Sequence, residues 1–289
     1  MIMSKTNTPS LNTVLAIRNL HERDNHIQFF EKEHTYLITD DIEHKYTSVT
    51  NWNSTQFEIF DADKIIQNMM NGKKWKKGHK YWNLTPEQIK NQWDTNKNTV
   101  TELGTNLHYE IECFLNNTDL KINYTNTDLY NYYMTAQKSI HNHNPSIEWT
   151  YFINFIKDFP TLKPFRTEWR IYDERIKIAG TIDVIYENPD QTYSIYDWKR
   201  SKNITRINDY NKFSISPLIC HIPDSNFWHY ALQLNIYKTI LEQNYNIKIK
   251  ELFLVRLHPN SSNYELILLP NLTVEMNDLF SEKISIIDN

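Results

Sequence analysis

Cysteine is scarce in this 289-residue chain, which contains only Cys113 and Cys220. Two cysteines cannot build a disulfide framework, a zinc ribbon or a four-cysteine iron–sulfur site. Long apolar runs are also missing, since none approaches the ~20 residues that a helix needs to cross a bilayer. The first thirty residues lack the apolar centre of a signal peptide. We therefore expect a protein of a reducing, intracellular compartment with no membrane segment.

Positive charge is not in excess, because 31 Lys and Arg residues face 35 Asp and Glu residues, for a net charge of -4. Proteins that bind nucleic acid through bulk electrostatics are usually basic, so any such contact here must come from local basic patches. Glycine is rarer, with four residues. Two of them, Gly104 and Gly180, open segments that carry candidate site residues. This sparing use predicts close backbone approach at both places.

The hydrophobic fraction of 40% and the aromatic fraction of 13% are sufficient to build a real core. No internal repeat and no Pro/Gly-rich linker divides the chain, which favours one domain over residues 1–289. Within it we distinguish an N-terminal extension (1–33), a hairpin and helical part (34–160) and a sheet core (161–289) that would hold the catalytic residues.

The alternating segment His34–Trp52 predicts a β-hairpin with its turn at Asp40-Asp41. Asp61 is placed to cap a helix that runs to Met70. The following stretch, 71–80 (NGKKWKKGHK), is typical of a basic loop.

Thr85-Pro86 begins the next predicted helix, with Thr85 as the cap, and the helix reaches about Leu115 with one break. Further helices are predicted for Thr127–His141, Ile147–Phe159, Phe227–Tyr245 and the C-terminus, and strands for Phe165–Tyr172, Ile176–Tyr186, Thr192–Lys199, Leu252–Leu257 and Tyr264–Leu269. This order predicts a mixed α/β domain.

The segment Tyr193–Lys202 (YSIYDWKRSK) brings a carboxylate and an ammonium group to one face of a strand, because Asp197 and Lys199 are two residues apart. Trp198 then points to the opposite side, into the core. The chain contains three acid-x-Lys triplets, and the bland interpretation of any one is a surface ion pair. Only this triplet ends an apolar strand that follows a second strand with an embedded acid.

That second acid is Asp183 in the hydrophobic run Gly180–Tyr186 (GTIDVIY). A lone carboxylate there costs several kcal/mol unless it is paired or bound to metal. Two carboxylates next to a cation suit phosphodiester hydrolysis, because Mg²⁺ prefers oxygen ligands and a cation stabilises developing charge. The alternative is an Asp at a strand end, paired with a basic neighbour.

Two helices contribute further polar pairs at a spacing of four residues, which shares one helical face. His108 and Glu112 lie in Gly104–Glu112 (GTNLHYEIE), and Gln233 and Tyr237 lie in HYALQLNIYK. Each pair alone is equally consistent with the polar edge of an amphipathic helix.

The four segments in this order resemble the PD-(D/E)XK nuclease superfamily, specifically its RecB-like exonucleases. That family has a G-x-x-x-H-x-x-x-E helix, a G-x-x-D strand, a D/E-x-K strand and a helix with Q-x-x-x-Y. The stretch before Glu112 also resembles viral and phage members and mitochondrial genome-maintenance exonucleases. A viral member would act in the host cytoplasm or nucleus, and a mitochondrial location stays open.

The resemblance implies a restriction-endonuclease-like core, in which a mixed, mainly antiparallel sheet is flanked by helices, with a helical N-terminal portion. It implies Mg²⁺, with Mn²⁺ as a substitute. The chain departs from some relatives in lacking their four-cysteine cluster, so we expect no iron–sulfur cluster. The residues that it assigns are His108, Asp183, Asp197 and the Trp198 backbone carbonyl as metal ligands, Lys199 to position water, Glu112 as the helix acid of the catalytic centre, and Gln233 and Tyr237 as support.

DNA contacts are predicted in two places. Lys73, Lys74 and Trp75 begin a run of basic and aromatic residues that suits a single strand, and Arg200 and Lys202 follow the Asp197 strand, where they could bind phosphates. The predicted function is a Mg²⁺-dependent DNA exonuclease acting on single-stranded or end-containing DNA in repair or recombination. A structure-specific endonuclease and a non-catalytic DNA-binding module remain as alternatives.

Overall fold

The computed structural model describes residues 13–117, 119–120, 123–137, 146–208 and 210–288. The predicted fold class is confirmed: the chain forms a mixed α/β structure in which helices flank a mixed sheet. In chain order the elements are α1 (Val14–Arg18), β1 (Ile27–Phe30), β2 (Thr35–Ile38), β3 (Thr47–Ser48), α2 (Val49–Ser54), α3 (Ala62–Met70), α4 (Pro86–Leu115), α5 (Asn126–Gln137), α6 (Ile147–Asp158), β4 (Lys163–Asp173), β5 (Ile178–Glu187), β6 (Tyr193–Lys199), α7 (Asn226–Asn244), β7 (Ile249–Arg256), β8 (Glu265–Leu268) and α8 (Thr273–Ile287).

The predicted hairpin over His34–Trp52 is wrong in its position along the chain. The hairpin is formed by β1 and β2, which pair antiparallel and turn at residues 31–34, so the boundary drawn at residue 33 cuts through it. The chain does turn after β2, but Asp41 then binds Lys177 Nζ at 2.5 Å and Tyr46 Oη at 2.8 Å. These contacts direct the chain away from β2, and β3 pairs in parallel with β5 instead.

Residues 49–52, which the hairpin prediction treated as strand, belong to α2. Ser48 caps this helix by accepting a hydrogen bond from the backbone N–H of Asn51 at 3.1 Å. A serine that satisfies an early helix N–H favours a helix start over a continuing strand.

The predicted helix caps are confirmed. Asp61 accepts from the Lys64 N–H at the start of α3, and Thr85 forms a reciprocal capping box with Gln88 at the start of α4. The break expected in α4 is wrong, because α4 runs unbroken for 30 residues and contains no proline after Pro86. The end predicted for α5, residues 138–141, lies outside the described residues.

The central sheet has the strand order β3-β5-β6-β7-β8, and β4 also pairs with β5. β4, β5 and β6 form an antiparallel meander, whereas β6 and β7 are parallel and α7 connects them. This connection packs α7 against β4 and β7 and brings Tyr237 of α7 close to Gly180 of β5. Asp197 lies two residues before the end of β6, whereas Asp183 lies in the middle of β5.

Two hydrophobic clusters cover the sheet from opposite sides. One packs α2, α7 and α8 against residues such as Ile182 and Ile195. The other packs α4, α5 and α6 against residues such as Tyr196 and Trp198. Burial on both sides explains why the central strands are nearly continuous apolar runs.

The segment before the hairpin packs into the fold. Leu15 and Ala16 of α1 are buried, and Asp24 accepts hydrogen bonds from Arg166 Nη1 and Trp169 Nε1, each at 2.7 Å. An acid as buried as Asp24 needs such partners, so the network fixes the segment to β4. No helix in the described part of the chain is long and apolar enough to cross a membrane.

Candidate metal and catalytic site

The site lies where β5 has a gap in its pairing. On one side β4 follows β5 along its length. On the other side, β3 pairs only with Ile178 and Ala179, and β6 pairs only from Val184 onwards. The intervening residues 180–183 have no strand partner on that side among the described residues. The gap leaves the carboxylate of Asp183 partly exposed, with 14% of its side-chain surface accessible.

Asp183 and His108 meet at the backbone of Trp198. Asp183 Oδ2 accepts a hydrogen bond from the Trp198 N–H at 2.9 Å, and His108 Nε2 lies 2.8 Å from the Trp198 carbonyl oxygen. Because a carbonyl oxygen only accepts, this contact places the imidazole proton on Nε2. In the neutral imidazole the lone pair then sits on Nδ1, and Nδ1 lies 3.5 Å from Asp183 Oδ2.

A third group, Glu168 of β4, completes this cluster and was missed in the sequence analysis. Ligand atoms of His108, Glu168 and Asp183 all lie within 4.8 Å of one another. The register of β4 and β5 places Glu168 across from Asp183. Glu168 has φ 43°, a left-handed conformation that is uncommon outside glycine and often occurs at functional sites.

Electrostatics show how crowded the acids are. Burial raises the pKa of Glu168 well above its ordinary value, and the nearby charges of Asp183 and Glu112 raise it further. Such a carboxyl resists ionisation until a positive charge arrives. A half-buried acidic cluster of this kind therefore favours binding of a cation.

Asp197 and Lys199 form the ion pair that their spacing predicts. Asp197 Oδ2 lies 2.5 Å from Lys199 Nζ, yet this buried oxygen accepts no hydrogen bond of good geometry from the described residues. Burial raises the pKa of Asp197 to about 6, and Asp183 contributes to the rise. Burial alone would lower the pKa of Lys199, but Asp197 and Asp183 raise it above its usual value, so the ammonium stays charged.

Trp198 turns to the other face, as its position between Asp197 and Lys199 predicts. Its indole is 2% exposed and makes edge-to-face contacts with Phe152 and Phe155, each with ring centroids 5.4 Å apart. This packing holds the backbone N–H and C=O of Trp198 in place, and those are the groups that orient Asp183 and His108.

Helix α7 supplies the residues predicted to support the site. Gln233 Nε2 donates to Tyr237 Oη at 3.1 Å, and Tyr237 is buried. A Cβ at Gly180 would lie 2.6 Å from the Tyr237 ring and 2.9 Å from Val49. The close approach predicted at Gly180 is therefore confirmed. Tyr230, one turn before Gln233, was not predicted; its ring centroid lies 4.9 Å from Lys199 Nζ.

The other glycine does not behave as predicted. A Cβ at Gly104 would meet no atom within 4 Å, so close approach there is wrong. Glu112, one turn after His108, is near enough to raise the pKa of Glu168, and burial raises its own pKa. It does not belong to the group of ligand atoms that meet within 4.8 Å, and Asp197 does not either.

The residues present fit a divalent cation. A neutral His108 would offer the Nδ1 lone pair, Asp183 Oδ1 accepts no hydrogen bond from the described residues, and Glu168 adds a carboxylate to the same small volume. Two carboxylates with one imidazole suit Mg²⁺ or Mn²⁺. Asp197, with its under-bonded oxygen, stands one strand away. The Trp198 carbonyl, predicted as a ligand, accepts the His108 N–H and keeps a second lone pair.

The residues predicted to bind phosphate beside the Asp197 strand are only partly available. Arg200 Nε donates to Glu148 Oε1 of α6 at 2.8 Å, and both side chains are largely buried. Arg200 therefore already has a carboxylate partner. Lys202 is exposed and follows the same strand.

The basic loop lies far from the acids. Trp75 packs against Trp82, with ring centroids 5.9 Å apart, and the loop rests on α4 through a 2.9 Å hydrogen bond from Trp93 Nε1 to Tyr81 Oη. Trp93 precedes His108 by fifteen residues, which is about 22 Å along a helix. Lys73, Lys74 and Trp75 are thus not brought to the cluster.

Comparison with known proteins leaves the family open. No protein-family model matches the chain, and no curated protein matches it. Among solved structures, the chain is similar to one described as "Crystal structure of SSO0001", at 21% identity over 45% of this chain and 48% of that one, with a TM-score of 0.20. The match spans about half of that chain, and so low a score supports no statement about function.

Proposed function

We propose that this chain is a Mg²⁺-dependent deoxyribonuclease that hydrolyses phosphodiester bonds, with Mn²⁺ able to replace Mg²⁺. The observation that carries the proposal is the meeting of His108, Glu168 and Asp183 within 4.8 Å, next to the buried pair of Asp197 and Lys199. Structural ion pairs rarely combine three close carboxylates with a charged lysine and an imidazole, because the acids repel one another.

The resemblance to RecB-like nucleases supports the proposal from the sequence side. The mixed sheet flanked by helices is the architecture that this resemblance implies, and we take it to be a restriction-endonuclease-like core. Four residues that the motifs assign, His108, Asp183, Asp197 and Lys199, lie in one place although they are up to 91 positions apart.

The chemistry divides among the residues as follows. A bound divalent cation would polarise the scissile phosphate and lower the pKa of a water molecule. His108, Glu168 and Asp183 would hold that cation, and Asp197 would share in holding it. Lys199, kept protonated by its carboxylate neighbours, orients the attacking water and offsets negative charge that develops on the phosphate. Tyr230 limits where the ammonium can lie.

DNA with free ends or single strands is the proposed substrate, and an exonuclease in repair or recombination is the proposed role. A structure-specific endonuclease of the same fold would use the same acids, and a DNA-binding module without activity would not need the ion pair intact. These alternatives differ in their products, so one assay separates them.

The assay uses end-labelled linear DNA and a circular single strand of the same sequence, with Mg²⁺ or with EDTA. We expect the wild type to degrade the linear DNA only, in a Mg²⁺-dependent manner, and Lys199→Ala to lose at least about 100-fold in rate, the usual scale for one stabilising donor. Cleavage of the circle would establish an endonuclease. Binding without cleavage by a folded wild type would contradict the proposed enzyme.

A matched control is Lys250→Ala. Lys250 lies near the start of β7, whereas Lys199 lies beside the end of β7. Lys250 Nζ pairs with exposed Asp190 at 2.9 Å. Its replacement removes the same charge, so an equal loss of rate in this variant would contradict a specific role for Lys199.

A further inference from the structure

A polar window interrupts the buried face of β4 and β5. Glu168, Arg170, Thr181 and Asp183 are partly exposed, whereas their strand neighbours are almost all buried. Arg170 pairs in register with Thr181, and Glu168 stands across from Asp183. The window therefore holds Glu168 of the acidic cluster at one end and Arg170 at the other, and their backbone positions are about 7 Å apart along the strand.

The guanidinium of Arg170 has no carboxylate within ion-pair distance and no hydrogen bond among the described residues. It is half-buried. Most other arginines of the described chain contact an acid or a carbonyl, namely Arg18, Arg23, Arg166, Arg175, Arg200 and Arg256. Arg206 is exposed and lies over the Phe227 ring.

An unpaired half-buried cation is costly unless an anion reaches it. The carboxylates of Glu168, Glu112 and Glu31 act on Arg170 through space, but none of them forms an ion pair with it among the described residues. Glu168 belongs to the cluster that would hold the cation, so a phosphate from outside the chain would give the guanidinium a direct partner.

The β1–β2 hairpin holds Arg170 at the rim of the window. The Arg170 Cζ lies 5.6 Å from the centroid of the Phe29 ring, and Phe29 packs against Tyr36 with centroids 4.7 Å apart. The Tyr36 hydroxyl lies 3.0 Å from Thr181 Oγ1. The hairpin thus closes one side of the window and restricts the guanidinium, which lowers the entropy lost when it binds a ligand.

We propose that Arg170 binds a phosphate group of the DNA strand next to the acidic cluster and so positions the scissile bond. A planar guanidinium suits a phosphate because it donates two parallel hydrogen bonds. This inference rests on the proposed nuclease function and adds to it a specific phosphate contact that the motif resemblance does not assign. The hairpin residues Phe29 and Tyr36 would restrict the orientation in which the guanidinium meets the phosphate.

The test pairs protein variants with DNA that carries one neutral methylphosphonate linkage, placed in turn at each position around the scissile bond. We expect Arg170→Gln to slow single-turnover cleavage of normal DNA about 10- to 100-fold, and Arg170→Lys to recover part of the loss. At one linkage, the neutral substitution should slow the wild type but have little further effect on Arg170→Gln. Melting temperature and Mn²⁺ affinity are measured on every variant, and Lys250→Gln is the charge-matched control.

The outcomes separate the two proposals. A folded wild type that does not cleave DNA would overturn the nuclease function and this inference with it. The phosphate contact is wrong, while the function stands, if the wild type cleaves and Arg170→Gln cleaves at the same rate. The same holds if the rate losses from Arg170→Gln and from the neutral linkage multiply at every linkage, because the two changes then act independently. A change in Mn²⁺ affinity with unchanged dependence on the DNA linkages would make Arg170 a counter-ion of the acids and overturn the contact.

Discussion

At the scale of single residues, the acidic cluster is arranged at the expense of stability. Asp197 is buried and its pKa is raised to about 6 from an ordinary value of 3.8. A folded-state pKa above the unfolded value means that the folded protein binds the proton more tightly. The cost is absent below about pH 4, grows between about pH 4 and 6, and is complete above pH 6 when no cation is bound.

Asp197→Asn removes this cost together with the metal-site charge. We expect the metal-free variant to be more stable than the wild type at pH 7.5, by up to about 3 kcal/mol, and the two proteins to be equally stable near pH 4. Cleavage should be abolished in Asp197→Asn and in Asp183→Asn. Urea unfolding in EDTA at both pH values checks the first part. A stability difference independent of pH would contradict it, and near-wild-type turnover in either variant would contradict the two-carboxylate site.

Glu168→Gln tests the acid that sequence analysis missed. If Glu168 holds the cation, this variant should lose at least about 10-fold in Mn²⁺ affinity and most of its cleavage, because one ligand charge is gone. Glu187→Gln is the control, since Glu187 lies on the adjacent strand and pairs with Lys163 at 2.6 Å, away from the cluster. A Mn²⁺ titration monitored by calorimetry measures the affinity. Equal affinity in wild type and Glu168→Gln would remove Glu168 from the ligand set.

The site residues predicted from sequence carry a local sequence signal, whereas the one that was missed, Glu168, does not. Asp183 is conspicuous because it interrupts an apolar run, and Asp197 and Lys199 share a strand face by period two. Glu168 lies in TEWRIYD, where alternation with Arg170 is typical of an ordinary solvent-facing edge. Its position across from Asp183 is a consequence of strand register, which a single sequence does not contain.

At the scale of elements, close packing between α7 and β5 sets the shape of the site. The caps that begin α3 and α4 were predictable, because Asp61 and Thr85 act through local hydrogen bonds. The hairpin was misplaced, because the contact of Asp41 with Lys177 joins residues 136 positions apart. Local chemistry is readable from sequence, whereas partner choice between strands depends on such long-range contacts.

Gly180→Ala and Gly104→Ala form a matched pair that tests the packing. At Gly180 a methyl group would lie 2.6 Å from the buried Tyr237 ring and 2.9 Å from Val49, so we expect a loss of about 1–3 kcal/mol in unfolding free energy. At Gly104, within α4 and with open space around it, alanine should stabilise by about 0.5–1 kcal/mol. Urea unfolding measures both. Equal effects in the two variants would contradict the close approach of α7 to β5.

At the scale of the whole molecule, the basic aromatic loop and the acidic cluster contact α4 at Trp93 and His108, about 22 Å apart along the helix. A cavity of about 620 Å³ opens between the loop and α4, lined by residues that include Lys80, Tyr81 and Trp93. It is remote from the cluster, so it is not where phosphate chemistry would occur. A DNA strand that contacts both places would extend along α4, and the single domain that we predict would have to hold both ends rigidly.

Neutralising the loop lysines tests whether the strand reaches it. If Lys73, Lys74, Lys76 and Lys77 bind phosphates, replacing all four with Gln should weaken DNA binding and lower the log–log salt slope by about 0.7 for each lost contact on a single strand. Trp75→Ala should weaken binding by about 1–3 kcal/mol if its ring stacks on a base.

The alternative is that the lysines only keep the surface soluble and that Trp75 stabilises the loop by packing against Trp82 and His79. In that case the lysine variant keeps the wild-type salt slope, and Trp75→Ala lowers the melting temperature without changing affinity. Measuring DNA affinity at several salt concentrations together with melting temperature distinguishes the two. The binding is measured in Ca²⁺, which accepts the same oxygens with looser geometry and is expected to support binding without cleavage. Cleavage at saturating DNA should change little in either case, since the loop packs about 22 Å along α4 from His108.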